Sequence, residues 1–189
     1  VRERGRPRRH PGLGIPLSLD GALDEYGELW VGDVGTSAKG WEEINRVRAG
    51  ENHGWPDHEG DCKTDCGDTI PPLESWPHEG AHPAYEDDRK IIATIQRVAW
   101  VAAGHDGKGP DPYDGALTHR ILYGDLCMGW IRSFEPHEDG TMADDQFLGH
   151  LTPSAWVQGP DGYLYAAELS ACGSAHLQHE TQLFRLEPK

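Results

Sequence analysis

The sequence predicts an all-β, loop-rich protein built from blades of the β-propeller type. Its 189 residues include 24 Gly and 14 Pro, and only 37% are hydrophobic, so turns are frequent. Seven Trp and six Tyr, against three Phe, favour strands over helices. Turn-then-strand units also recur, because residues 26–31 (YGELWV) have the same form as residues 161–166 (DGYLYA). A four-stranded blade takes about 40–45 residues, so we expect a single domain over residues 1–189 with roughly three to four blades.

Short β-favouring runs between turn signals give the elements in order. Residues 1–28 form a turn-rich lead-in with only short extended pieces, and residues 71–85 form a long irregular connection. Residues 91–103 predict one or two buried strands; their alanines permit a helix, but β-branched and aromatic residues without an N-cap favour strands. The remaining strands are predicted at 29–34, 43–47, 120–123, 128–134, 155–158, 163–168 and 182–186. A propeller must close its ring of blades to remove exposed sheet edges. We expect the three to four blades of this chain to form only part of such a ring.

The charge of the chain excludes several classes of partner. The net charge is −15, and the first ten residues hold five Arg and one Glu (+4), which leaves −19 for the other 179 residues. An acidic body of this kind repels nucleic acid and anionic membranes, and a basic stretch of only ten residues is too short to establish a nucleic-acid arm. The sequence contains no window of 18 apolar residues, so we predict no membrane-spanning helix.

The four cysteines indicate disulfides rather than a metal centre. They lie at Cys62, Cys66, Cys127 and Cys172 without a C-x2-C pair, and paired disulfides in an exported protein are favoured over metal ligation. Four cysteines allow three pairings. In the pairing that we favour, Cys62 closes on Cys66 within one short loop, and Cys127 and Cys172 tie neighbouring strands or blades.

The stretch from residue 29 to residue 61 gathers oxygen-bearing side chains on glycine-rich loops. The side chains that fall within 20 residues of one another are Glu42, Glu43, Asn45, Asn52, Asp57, Glu59 and Asp61. Hard oxygen ligands at this density suit a calcium ion. A solvated acidic loop between two strands is the alternative, because the spacing is not that of an EF-hand.

The motif order of the same stretch resembles a known family. GDVG (32–35) is followed by WEEIN (41–45), by GWP (54–56) with Asn52 before it, and by EG (59–60); GDLCMG (124–129) and GPDGYLY (159–165) come later in the same order. This order resembles the soluble glucose/sorbosone dehydrogenases, which are six-bladed β-propellers of the pyrroloquinoline quinone (PQQ) type. Their relatives include hedgehog-interacting-protein-like propellers. The resemblance runs from about residue 8 to the C-terminus and corresponds to the C-terminal half of a family member.

The resemblance implies a quinone site and two calcium ions. One calcium lies beside the quinone and is held partly by backbone oxygens at positions that match Gly35 and Thr36. Arg9, in a segment similar to the family's R-N-P motif, becomes a candidate cofactor contact; a solvated, frayed terminus is the alternative.

A second, structural calcium is implied at Glu43, at the backbone of His53, at Glu59 and at Asp61. The alternative for Glu43 is an outward-facing strand residue.

The function implied by the resemblance is oxidation of an aldose at its anomeric carbon by hydride transfer to PQQ, in a periplasmic or secreted protein. The general-base His is expected in the N-terminal half, outside this chain, so no catalytic residue is assigned here. The partners expected are a sugar or glycan and the N-terminal half of the ring. Residues 151–156 contain no Arg or Lys where the family carries quinone-binding Arg. A non-catalytic calcium-binding propeller that binds a glycan or protein, or a degenerate relative, therefore stays open.

Overall fold

The computed structural model describes residues 18–35, 40–62, 64–77, 95–101, 109–125, 129–168 and 182–188, and every regular element in these ranges is a β-strand. The strands form three antiparallel sheets. The first sheet contains β1 (Ser18–Leu23), β2 (Leu29–Val34), β3 (Trp41–Val47) and β4 (Glu74–Pro77). The second contains β5 (Ile95–Val101), β6 (Arg120–Asp125), β7 (Trp130–Pro136) and β8 (Met142–Gly149). The third contains β9 (Pro153–Gln158), β10 (Leu164–Glu168) and β11 (Gln182–Arg185).

The three sheets stack face to face as consecutive blades. Their first strands are neighbours, since β5 contacts both β1 and β9. An aromatic core between the first and second blades contains Trp30, Ile44, Trp76, Ile121, Tyr123, Trp130 and Phe134. A smaller core between the second and third blades contains Val101, Tyr113, Leu122 and Leu164. Burial of these large rings holds the blades together, because the hydrophobic effect scales with the apolar area removed from water.

The predicted fold class is confirmed. The chain is an all-β, partial propeller whose sheets do not close into a ring among the residues described. Three strands were not predicted. β1 lies in the lead-in and β4 in the predicted irregular connection, whereas the middle four residues of β8 (MADDQFLG) are exposed and two of them are acidic. Partners in the sheet, rather than residue preference, make these segments strands.

Two further sequence predictions can be compared with the structure. Cys62 and Cys66 form a disulfide, as predicted, whereas Cys127 and Cys172 lie outside the described residues. The strand predicted at 120–123 extends two residues further, so that Asp125 is the last residue of β6 and is fully buried. Its Oδ2 accepts a hydrogen bond from Trp76 Nε1 at 3.3 Å, so Asp125 links two blades. In the described part of the chain, no helix has the length and hydropathy that a membrane span requires.

Candidate functional site

A row of buried polar side chains crosses the first blade on the face opposite the aromatic core. Asp33 on β2 lies directly across from Glu43 on β3, so both side chains project from the same face of the sheet. Only 2% of Asp33 and 5% of Glu43 is exposed to solvent. Two carboxylates placed directly opposite each other repel when both are ionised, and burial increases that cost. This face of the blade therefore favours a bound cation or a retained proton.

Glu43 joins the strand to the loop that covers it. Its Oε1 accepts a hydrogen bond from the backbone N–H of Gly60 at 2.5 Å, and its Oε2 accepts one from Asn45 Nδ2 at 3.0 Å. Burial raises the pKa of Glu43, and the negative charge of Glu59 raises it further, while the two hydrogen bonds oppose the shift. Glu43 thus lies inside the protein and is not the outward-facing strand residue of the alternative interpretation.

Other buried polar atoms of the first blade and its covering loop have no hydrogen-bond partner. Asn45 is fully buried, and its Oδ1 has no hydrogen-bond partner in the structure. His53 is also buried, and neither ring nitrogen makes a hydrogen bond; the nearest acid is Glu51, whose Oε2 lies 3.8 Å from Nε2. Burial lowers the pKa of His53, so its neutral form is favoured. Buried polar atoms without partners are uncommon in folded proteins and often indicate an ion or water.

Two glycines let the backbone approach this row closely. A Cβ at Gly35, directly after β2, would lie 2.5 Å from the backbone N of Trp41. Gly60 has a φ of +74°, and a Cβ there would lie 2.6 Å from the Trp41 ring. Only glycine fits either position without a shift of the neighbouring atoms. The GDVG and EG motifs are thus explained by close packing around Trp41.

The structure separates several of the predicted ligands. Strand alternation places Glu42 on the opposite face from Glu43 and Asn45, and Asp57 is exposed in the loop. Asp61 is exposed and lines an open groove with Trp41. No group of three or more His, Cys, Asp or Glu side chains within the described ranges is arranged to hold a metal ion. Arg9 and Thr36 lie outside those ranges.

The donors of the buried row fit calcium in chemical type. Carboxylate oxygens of Asp33 and Glu43, with the amide oxygen of Asn45, are the hard ligands that calcium prefers. Backbone carbonyls of the covering loop would have to complete the shell, since the acidic side chains alone do not form one.

The described residues alone do not fit the quinone, because a buried tricarboxylate needs fixed cations. Each arginine whose side chain is described already bonds to a protein oxygen. The pairs are Arg46 with the Asp139 carbonyl (3.1 Å), Arg48 with Glu28 (2.6 Å), Arg120 with Asp144 (2.9 Å), Arg132 with Asp145 (2.5 Å) and Arg185 with Glu187 (2.5 Å).

Sequence reasoning missed two features of the three described blades. Asp33 was part of a recognised motif but was not chosen as a candidate; the strand register that places it opposite Glu43 could have indicated it. The other feature is a polar network near the first–second blade core, in which Asp145 accepts hydrogen bonds from Tyr123 Oη at 2.9 Å and Arg132 Nε at 2.9 Å. No local signal indicated this network, because its members come from three strands.

Comparison with known proteins supports the fold. No family model matches the chain, and neither does any curated protein. Among solved structures, it resembles the PQQ-bound aldose sugar dehydrogenase of Streptomyces coelicolor, with a TM-score of 0.61 and 18% identity over 92% of this chain and 44% of that one. A putative oxidoreductase (glucose dehydrogenase) of Thermus thermophilus gives 0.58 and 18%, over 88% and 44%. The soluble aldose sugar dehydrogenase of Escherichia coli, in its apo form, gives 0.54 and 18%, over 82% and 42%.

The chain therefore spans less than half the length of these proteins. The structural relationship predicted from the motif order is confirmed at the level of the fold.

Proposed function

We propose that this chain is the C-terminal part of a PQQ-dependent sugar dehydrogenase that oxidises an aldose at its anomeric carbon. The main support is the agreement between the motif order and the fold. The motifs follow the order of that family, and the fold resembles a PQQ-bound aldose sugar dehydrogenase over 92% of this chain. When bound, PQQ would supply the acceptor for the hydride. No step of the hydride transfer is assigned to the described residues. Their arginines are all bonded to protein oxygens, and the general-base His is expected outside this chain.

Within this proposal, the chain contributes a structural calcium site. Glu43 and Glu59 would provide carboxylate oxygens, the loop would provide the His53 carbonyl, and Asn45 Oδ1 would gain the partner that it lacks. A divalent cation would also offset the repulsion between Asp33 and Glu43. The ion would thereby fasten the covering loop to the first blade. Ligation by Asp61, and by Gly35 and Thr36 at the quinone, stays a prediction.

A non-catalytic propeller that binds calcium and a glycan or protein partner is the second candidate. The observation that favours it is the engagement of every arginine side chain in the described part of the chain by a protein oxygen. This candidate retains the fold and the calcium site but requires no cations for a tricarboxylate.

A parallel dye-reduction assay distinguishes the two candidates. The 189-residue chain and the full gene product are each supplied with PQQ, calcium and glucose or another aldose, and reduction of a dye acceptor is recorded. We expect turnover by the full product and none by this chain alone. A full product that binds PQQ with no turnover on any aldose would favour the non-catalytic candidate. Turnover by the isolated chain would contradict our assignment of the base and the cations to the rest of the ring. We expect the protein in the periplasm or outside the cell, where cell fractionation can detect it.

A further inference from the structure

A groove lies at the outer edge of the first blade, between the start of β4 and the covering loop. It has a volume of about 730 Å³, within the range of about 300–1,000 Å³ that is common for small-molecule sites. The described residues that line it are half polar and half apolar and include no Lys, Arg or His: Trp41, Asp61, Pro72, Leu73, Glu74 and Ser75. A mixed lining of this kind suits a small amphiphilic molecule.

The strand register brings apolar and polar side chains together at this groove. Ser75 lies directly across from Glu43, and Trp41 comes two residues before Glu43, so Trp41 and Ser75 project from the same face of the sheet. Leu73 extends the ladder, since its N–H donates to the Ile44 carbonyl at 2.9 Å, and its side chain is 37% exposed. The groove thus combines a partly buried aromatic ring, an exposed aliphatic side chain and a hydroxyl group.

Asp61 adds a carboxylate whose place is set by the residue before it. The N–H of Gly60 donates to Glu43 Oε1 at 2.5 Å, which ties the covering loop to β3. A Cβ at Gly60 would lie 2.6 Å from the Trp41 ring, so the loop backbone passes directly against that ring. Asp61 follows at once and is exposed in the groove. The carboxylate and the aromatic ring are therefore held side by side.

We propose that this groove binds a neutral sugar unit of a glycan. An aromatic ring packs against the apolar face of a sugar, and a carboxylate accepts charge-assisted hydrogen bonds from neighbouring hydroxyls. Trp41 and Asp61 provide this pair, and the Ser75 hydroxyl both donates and accepts. The carboxylate and the net charge of −15 disfavour acidic sugars. This inference rests on the sugar-directed function proposed above, because the groove by itself also suits a cation.

A titration of the protein with methyl glycosides of glucose, galactose and mannose, in the presence of calcium, provides the first test. A methyl glycoside has no free anomeric hydroxyl, so binding is measured without oxidation at that carbon. We expect at least one sugar to give saturable NMR shifts at the Trp41 indole N–H and at the amides of Asp61 and Ser75. A Kd of about 1–10 mM is expected for a ligand of this size.

Trp55 is the internal control for this titration. It is 40% exposed on the same covering loop but does not line the groove. Weak stacking of sugar on any exposed indole would shift Trp41 and Trp55 alike. Equal shifts at the two rings, or no saturable shift with any of the three sugars up to about 100 mM, would overturn the proposal.

A matched pair of variants tests the carboxylate. Asp61→Asn and Asp57→Asn each remove one negative charge from an exposed position of the covering loop, but only Asp61 lies in the groove. We expect Asp61→Asn to weaken sugar binding by about tenfold, and Asp57→Asn to change it by less than about twofold. Unchanged signals from the aromatic core show that each variant is folded. Equal effects of the two substitutions would reduce the role of Asp61 to loop charge and refute the contact.

Trilysine is the probe for the other occupant, a cationic ligand. Its binding should weaken as salt is added, because exposed charges are screened, whereas binding of a neutral sugar should not. Salt-sensitive shifts with trilysine and none with any methyl glycoside would assign the groove to a cation instead. The dye-reduction assay separates this inference from the proposed function. Turnover by the full product without sugar binding at the groove would overturn only the groove, whereas binding without turnover would support the non-catalytic candidate.

Discussion

Replacing Glu43 with Gln tests the calcium site and the energetics of the buried row together. Gln retains the length of the side chain, so its Oε1 can still accept the hydrogen bond from the Gly60 N–H. The Asn45 amide can turn so that its Oδ1, which has no partner in the wild-type structure, accepts a hydrogen bond from the new Nε2. Without calcium, Glu43→Gln removes a buried charge at no loss of hydrogen bonds. We therefore expect the calcium-free variant to melt at or above the wild-type temperature.

With calcium bound, we expect the wild type to melt at a higher temperature than Glu43→Gln. An ion at about 100 times its Kd stabilises the folded state by about 2.7 kcal/mol, because it binds only that state. For a chain of this size, such a gain raises the Tm by roughly 5–10 °C. Loss of one ligand charge that weakens binding about tenfold leaves about 1.4 kcal/mol, or half of the shift. We expect Glu43→Gln to show half of the wild-type calcium shift or less.

The measurement is a set of thermal melts, followed by near-ultraviolet circular dichroism, with calcium and with a chelator. Asp57→Asn is the matched control, since it removes the same charge from an exposed position in the covering loop. We expect this control to retain the full calcium shift. If calcium and chelator give the same wild-type Tm, the site does not bind calcium. If both variants lose the shift equally, only the net charge of the loop matters.

Three other sets of substitutions test the packing of the three described blades. Arg132→Met removes an ion pair whose acid, Asp145, is exposed, so we expect about 1–2 kcal/mol of destabilisation in urea melts; an unchanged midpoint would contradict a structural role for the pair. The double change Cys62→Ser and Cys66→Ser opens a short loop and should cost about 2 kcal/mol in the same assay. Reducing agent should then destabilise the wild type more than the double variant, and any loss that remains in the double variant would report the predicted Cys127–Cys172 bridge. Burial raises the pKa of Glu74, so its neutral form stabilises the fold at low pH and this contribution is lost as pH rises through the folded-state pKa. Glu74→Gln should therefore raise the Tm at pH 7 and change it little at pH 4, and the opposite order would refute the sign.

Apart from β1, the inner and middle strands of the blades could be predicted from sequence because their residues have one strong local preference. β2 combines Trp30, Val31 and Val34 with a glycine turn before it, and all three side chains are buried. β8 carries no such pattern, since it is the outer strand of its blade and its middle four residues are exposed. Its strand character comes from pairing with β7, which no local window reveals.

The candidate site was only partly accessible to sequence reasoning. Glu43 was identified through motif resemblance, and in the structure its carboxylate accepts hydrogen bonds from the Gly60 N–H and from the Asn45 amide at once. Asp33 could be paired with Glu43 only after the register of β2 and β3 was known. Asp61 was grouped with the other acids because it is near in sequence, but it is exposed in a groove beside Trp41. Proximity along a glycine-rich loop says little about proximity in space.

The arginines show how functions are divided within the proposed ring. Arg120 and Arg132 bond to carboxylates on β8, and both are buried between strands of the second blade. Turning either cation toward a quinone carboxylate would break the hydrogen bonds that it makes within the second blade, which for Arg120 include one to Ser133 Oγ at 2.9 Å and for Arg132 one to Asp145 at 2.9 Å. Arg120 and Arg132 thus fasten β8, the outer strand, to the rest of the second blade. If the full protein oxidises sugars, the charges that neutralise the quinone must come from other residues, such as Arg9 or those of the remaining blades. Under the proposed function, the three described blades would contribute the calcium site rather than the cations that neutralise the quinone.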